Sequence, residues 1–253
     1  MFKSIIHISL TALLVFSILA PSFVELISDI EIVEIADIND KEKKEKLEKD
    51  IEEKIIQYAE LEENLDFSNN PKITMLSTPM CSIEGYIGEG GHYDISNMPD
   101  LIFLDLYDNR LTSVDISKNT KLKEIRINMG NSISTIDLSN NILLETISAN
   151  NSGLEGELDV SNLTELEVLN IAYNNINSIN FSNNTKLEYL EINGNQIEGE
   201  IDVSNCTNLL EFYANYGNNL SCIKVNQEQL DAYNGINPPD GFKWELSIEP
   251  TLD

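Results

Sequence analysis

The sequence predicts an α/β solenoid, a stack of short coils whose extended segments line up in one parallel sheet behind an N-terminal capping helix. Three observations carry this reading. An apolar-acidic-apolar motif returns at nearly constant spacing, a leucine-rich alternating segment follows each copy, and a helix-patterned segment lies directly ahead of the first copy. A coil of 21 or 22 residues cannot bury its own apolar side chains, so such coils are stable only when stacked on one another.

The repeat begins with LDFSNN at Leu65 and continues with YDISNM at Tyr93, VDISKN at Val114 and IDLSNN at Ile136. LDVSNL at Leu158, INFSNN at Ile179 and IDVSNC at Ile201 follow, and a degenerate IKVNQE starts at Ile223. The intervals are 28, 21, 22, 22, 21, 22 and 22 residues. After each start comes a second element. LIFLDLYDNRL (101–111), LEVLNIAYNNI (166–176) and LEYLEINGNQI (187–197) fit L-x-x-L-x-L-x-x-N-x-L without a slip. ITMLSTPMCSI (73–83) fits more loosely. LKEIRINMGNSI (122–133) and LLEFYANYGNNL (209–220) carry one extra residue before Asn131 and Asn218, and LETISANNSGL (144–154) has Ser152 in the Asn place.

Alternation within the second element is what a strand requires. Leu104 and Leu106 point inward, whereas Phe103, Asp105 and Tyr107 point out. Asn109, Asn174 and Asn195 fall where the chain bends inward. An amide carries both a donor and an acceptor, so it can satisfy backbone that has left its ladder. In the first motif the apolar pair faces the core, and the Asp and Ser face outward or bond their own turn. The position four residues after the Asp holds Asn70, Met98, Asn119, Asn141, Leu163, Asn184 and Cys206, a mixture that predicts a half-buried site with Cys206 as a small packing residue.

These residues resemble a leucine-rich repeat protein, and the companion pattern narrows the likeness. LTSVDISKNTKL (111–122) is similar to the short repeat of secreted bacterial proteins that reads LTSLDVSNNTxLxxL. The tail LSCIKVNQEQLDAYNGINPPDGFKW (220–244) resembles their C-terminal cap. The resemblance covers the chain from Leu65 onward. It implies a right-handed solenoid that binds a protein on its concave sheet, without catalysis. It also implies a cap cysteine paired with a cysteine at the chain end; this chain stops at Asp253 without one, which leaves Cys222 lacking that partner.

The ends complete the expected organisation. Residues 1–22 read as a secretory signal peptide: one Lys, an apolar run from Ile5 to Ala20, and small residues at Ala20 and Ser22. An uncleaved anchor reaching Ile27 is the competing reading, and Pro21 with Glu25 favours cleavage. Residues 23–64 comprise an acidic linker and a capping helix over 37–64, where Leu47, Ile51, Ile55 and Ala59 recur at four-residue steps. Seven coils fill 65–222, and 223–253, with Phe242 and Trp244, form the C-terminal cap.

Composition excludes several functions. The chain of 253 residues has 43 Asp and Glu against 16 Lys and Arg, a formal charge of −27, which repels phosphate backbones and anionic lipid. Nucleic acid is therefore not an expected partner, nor is a membrane once the signal is cleaved. Three cysteines (Cys81, Cys206, Cys222) do not make a disulfide scaffold. The mature chain keeps one histidine, His92, in the Gly-rich insertion EGYIGEGGH (84–92), and no nucleophile signature accompanies it. No cofactor or zinc pattern is present. The column Asp66, Asp94, Asp115, Asp137, Asp159 and Asp202, interrupted by Asn180, could hold calcium between coils, or each Asp could bond its own turn.

The sequence therefore predicts a secreted or cell-surface, monomeric, non-catalytic module for a protein partner. The candidate contact residues are the outward Phe103, Asp105, Tyr107, Arg126, Tyr189, Glu191 and Tyr213, with Tyr173 just beyond the strand. Aromatic and Arg side chains dominate interface energetics, which singles these out. The alternatives are a structural or adhesive surface protein, stiffened by calcium and self-associating through its open ends or the 37–64 helix, and a carbohydrate-active enzyme using acidic residues.

Overall fold

The computed structural model describes residues 72–79, 84–87 and 95–252. The expected signal peptide, linker and capping helix, Asp66 and Asp94 of the acidic column, Cys81 and His92 lie outside the described residues. Within them, the short strands β1 (Met75–Ser77), β3 (Phe103–Asp105), β5 (Glu124–Arg126), β6 (Thr146–Ser148), β8 (Val168–Asn170), β10 (Tyr189–Glu191), β12 (Glu211–Ala214) and β14 (Lys243–Leu246) form one parallel sheet in that order. Its register is unbroken. Leu76, Leu104, Ile125, Ile147, Leu169, Leu190, Phe212 and Trp244 stand in a single row, each opposite the next. The first seven members of that row are buried in one continuous core. A one-residue slip would turn every rung outward, so this row fixes the stacking.

The coils differ from the expected α/β arrangement on their second face. That face carries further parallel strands rather than helices: β2 (Glu84–Ile87) pairs with β4 (Arg110–Val114), β7 (Glu155–Asp159) with β9 (Asn175–Asn180), and β11 (Glu198–Asp202) with β13 (Asn219–Val225), which also pairs with β15 (Thr251–Leu252). The architecture is a β-solenoid. Among the described residues the one helix is α1 (Gln227–Tyr233), started by an Asn226–Gln229 capping box. Residues 84–87, read from sequence as the start of a Gly-rich insertion, are instead strand β2. Its Glu-Gly pair is repeated at Glu155-Gly156 and Glu198-Gly199, and the pairing register shifts directly after the glycine in all three strands.

Two buried amide columns run through the coils. In the first, Asn174 Nδ2 donates to the carbonyls of Ala149 and Ile171, while its Oδ1 accepts from the backbone N–H groups of Ser152, Gly153 and Leu154. Asn109, Asn131, Asn195 and the part-buried Asn218 likewise donate to a carbonyl of the preceding coil, and Ser152 donates its hydroxyl to Ile127 O. The second column corrects the half-buried expectation. Asn119, Asn141, Asn184, Met98 and Cys206 are fully buried and Leu163 nearly so. Each Asn there donates to two carbonyls of the preceding coil, and Gln229 of α1 continues the column onto Val203 O and Cys206 O. Cys206 packs in the core, where burial pushes its thiol up to about 12. Cys222 is half-buried beside Thr251 Oγ1 at 3.2 Å, and both thiols are free.

The acidic column bonds its own turns. Asp115, Asp137, Asp159 and Asp202 each accept, at 2.9 Å, the backbone N–H two residues on, and Asn180 does so at 3.0 Å. Among the described residues no three His, Cys, Asp or Glu side chains come together as a metal ion would require.

Candidate protein-binding face

The in-register pleat sorts the outward side chains of the main sheet into columns. The first reads Met75, Phe103, Glu124, Thr146, Val168, Tyr189, Glu211 and Lys243. The second reads Ser77, Asp105, Arg126, Ser148, Asn170, Glu191, Tyr213 and Glu245. Size is distributed unevenly along both. Strands β6 and β8 offer Thr146, Ser148, Val168 and Asn170, while larger side chains stand on either side. The result is a trough of about 830 Å³ whose lining runs from Ser77 and Tyr107 through Arg126 and Ser148 to Tyr189 and Glu211. From β5 to β10 there are three inter-strand steps, so the walls stand about 14 Å apart.

The wall on β3 and β5 is held by charge. Arg126 pairs with Glu124 at 2.6 Å, and its guanidinium lies 5.2 Å from the centre of the Phe103 ring. Tyr107 donates its hydroxyl to Met129 Sδ at 3.3 Å. Asp105 is more buried than the alternation implied, at 8% exposure. Its carboxylate accepts from Tyr107 N at 3.0 Å and from the Ser77 hydroxyl at 3.4 Å, so it secures the end of the strand.

The opposite wall is built from tyrosines and carboxylates. The rings of Tyr189 and Tyr213 are 5.6 Å apart, and each phenol donates to the carboxylate of its own strand, Tyr189 to Glu191 at 2.8 Å and Tyr213 to Glu211 at 2.6 Å. Burial, with the Glu191 bond, pushes the Tyr189 hydroxyl far above its ordinary value, and the Glu211 bond raises that of Tyr213. Asn170 also donates to Glu191 at 2.9 Å, and Lys243 Nζ sits 4.7 Å above the Tyr213 ring.

Tyr173 stands at the rim. Its φ of 58° is in the left-handed region, where the equivalent residues of other coils are Asp108, Met129, Asn151 and Gly194. A bulky side chain there is strained. The conformation carries its exposed ring across Gly194 to Tyr216, with ring centres 5.9 Å apart and the two hydroxyls in contact. Glycine is required beneath it, because a Cβ on Gly194 would lie 2.9 Å from the Tyr173 ring and one on Gly217 only 2.4 Å from Gly194 Cα.

Of the expected contact residues, Tyr107, Arg126 and Tyr189 line the trough, with Asp105 at its base. Phe103, Glu191 and Tyr213 brace those lining residues, and Tyr173 is set apart at the rim. Sequence reasoning left out Glu188 and Leu210, which also line the trough. They precede their strands, where the alternation pattern assigns no direction.

No family model matches the sequence, and no curated protein matches it. Solved structures do match. The chain aligns with an internalin (inlF) from Listeria monocytogenes at 23% identity and a TM-score of 0.51, covering 74% of this chain and 51% of that one. It aligns with the plant peptide hormone receptor RGFR1, in complex with RGF2, at 20% identity and a TM-score of 0.57, covering 74% of this chain and 30% of that one. The fold is thus the leucine-rich repeat type of parallel β-solenoid. The chain spans about half the length of the internalin and under a third of the receptor. Among the described residues no helix is long and apolar enough to cross a membrane.

Proposed function

We propose that this chain is an exported, monomeric leucine-rich repeat module that docks a protein partner in the trough of its main sheet, without catalysis and without a cofactor. The observation that carries the reading is the trough itself. Its floor of small side chains lies between two walls that supply Tyr107, Arg126 and Tyr189, and aromatic and Arg anchors of this kind supply most of the energy of protein interfaces. The rows that place them are fixed by core stacking, so the face is ordered before it binds, which lowers the entropy cost of association. The RGFR1 structure was determined with RGF2 bound; that likeness is one of fold, and the partner of this chain is inferred from its own side chains. Export rests on the apolar leader at residues 5–20.

The test is capture of the partner from native extracellular medium or cell surface, using wild type and the triple variant Y107A/R126A/Y189A. The variant should lose the captured protein while its melting curve stays within a few degrees of wild type. Equal capture by both proteins sinks the reading.

A further inference from the structure

We infer that the trough accepts a basic segment of its protein partner, with a Lys or Arg side chain of that segment seated against the tyrosine wall of β10 and β12. This rests on the docking role proposed above and adds the chemistry of the occupant. The trough lining carries four carboxylates, Asp105, Glu124, Glu188 and Glu211, against one guanidinium, Arg126. Arg126 is already held by Glu124 at 2.6 Å, and Asp105 is occupied by its own turn. Hydrogen bonds from neutral donors leave a carboxylate charged, so the lining is net negative. Asp105 lies at its β3 end and both Glu188 and Glu211 at its β10–β12 end, where Glu191 on the strand of Tyr189 adds to them.

The rings there suit a cation as well. Tyr189 donates its hydroxyl to Glu191, which fixes the ring and leaves its π-face in the trough lining as the feature a ligand meets, beside a Tyr213 ring that already carries Lys243. The sheet already seats two cations in this manner. Lys243 Nζ lies over the Tyr213 ring and pairs with Glu245 at 3.2 Å, and Arg126 lies over Phe103 beside Glu124. A ring face with an adjacent carboxylate is thus the local motif for holding an ammonium or guanidinium, and a partner side chain of that kind meets the same groups from solvent. The stem of Lys or Arg finds apolar surface at Val168 and Leu210 in the same lining.

The rival is unspecific attraction to a chain of net charge −27, so the experiment needs a charge-matched control. Fluorescence anisotropy would use a fluorescein-labelled nonapeptide of alternating Arg and Ser, beside versions with Gln or Glu in place of Arg. Two variants of the full chain are compared: E188Q/E211Q, which removes two charges from the trough, and E155Q/E157Q, which removes two exposed charges from β7 on the other face. The Arg peptide should bind wild type, weaken about tenfold with E188Q/E211Q and change less than about twofold with E155Q/E157Q. Equal weakening by both variants, or equal affinity for the Gln peptide, overturns the inference. If the Arg peptide fails to bind while native capture still depends on Tyr107, Arg126 and Tyr189, the basic occupant is wrong and the docking role stands.

Discussion

Asn174 and Asn141 are both buried amides in the same stack, and they do different amounts of work. Asn174 donates to two carbonyls and accepts three backbone N–H groups, all where the chain has left its ladder. Asn141 donates to Ile116 O and Asn119 O, but those carbonyls already accept the backbone N–H groups of Asn119 and Leu122, and its own Oδ1 accepts nothing from the protein. Leaving buried backbone groups unpaired costs about 1–3 kcal/mol each. Asn174→Ala should therefore lower unfolding stability by about 3 kcal/mol or more in urea titrations, whereas Asn141→Leu, the residue found at 163, should cost less than about 1 kcal/mol. Equal costs would mean that the two columns are equivalent. The acidic turns show a second residue-scale effect. The Ser139 hydroxyl and backbone N–H hold the Asp137 carboxyl below its usual range, and Ser161 does the same for Asp159. A depressed folded pKa contributes stability above the ordinary carboxylate value of about 3.9, and that contribution is lost as pH falls through the lower folded value. Ser139→Ala should move the Asp137 titration, followed by carboxyl NMR, back up towards the ordinary value and leave Asp159 unmoved.

Among elements, legibility in the sequence followed the strength of the apolar pattern. The row from Leu76 to Phe212 could be read because each coil places a large apolar residue between two outward ones, and only an extended chain gives that period. The strands of the second face could not be read in this way. Glu155–Asp159 (EGELD) and Asn175–Asn180 (NINSIN) are rich in Gly, Glu and Asn, which have weak strand preference. They are extended because the coil above offers a matching backbone, and that contact lies some twenty residues away in sequence. Even so, a signal was present: an apolar-Glu-Gly triplet recurs with its Glu at 84, 155 and 198, and at 155 and 198 that Glu stands three residues before the apolar residue that opens the acidic turn. Strand β14 escaped for a similar reason. Lys243–Leu246 lacks the repeat motif, yet Trp244 takes the eighth place in the row by packing edge-on against Phe212, with ring centres 5.5 Å apart.

For the whole molecule, the candidate face was partly legible for a geometric reason: outward direction follows from the pleat, but depth does not. Phe103, Tyr107, Arg126, Tyr189 and Tyr213 could be placed on one face from alternation alone. That β6 and β8 form a floor between them depends on comparing side-chain size across coils, and that Asp105 is absorbed into its turn depends on a bond within one coil. The same stacking governs how the molecule responds to salt, because it arranges charge in two opposing ways. Lys121–Asp100, Lys123–Glu145, Lys186–Glu165 and Lys224–Glu200 tie neighbouring coils through exposed pairs, which salt weakens. Against them stands the mutual repulsion of a chain with 43 acidic and 16 basic residues, which salt relieves. Exposed pairs contribute little individually, and there are few basic residues to form them. Repulsion therefore prevails, and added NaCl should raise Tm progressively up to a few tenths molar, where the screening length falls to about 5 Å and further salt has little left to screen. A scanning calorimetry series in NaCl checks this. A Tm that falls over the same range would show that the inter-coil pairs outweigh the mutual repulsion of the acidic chain.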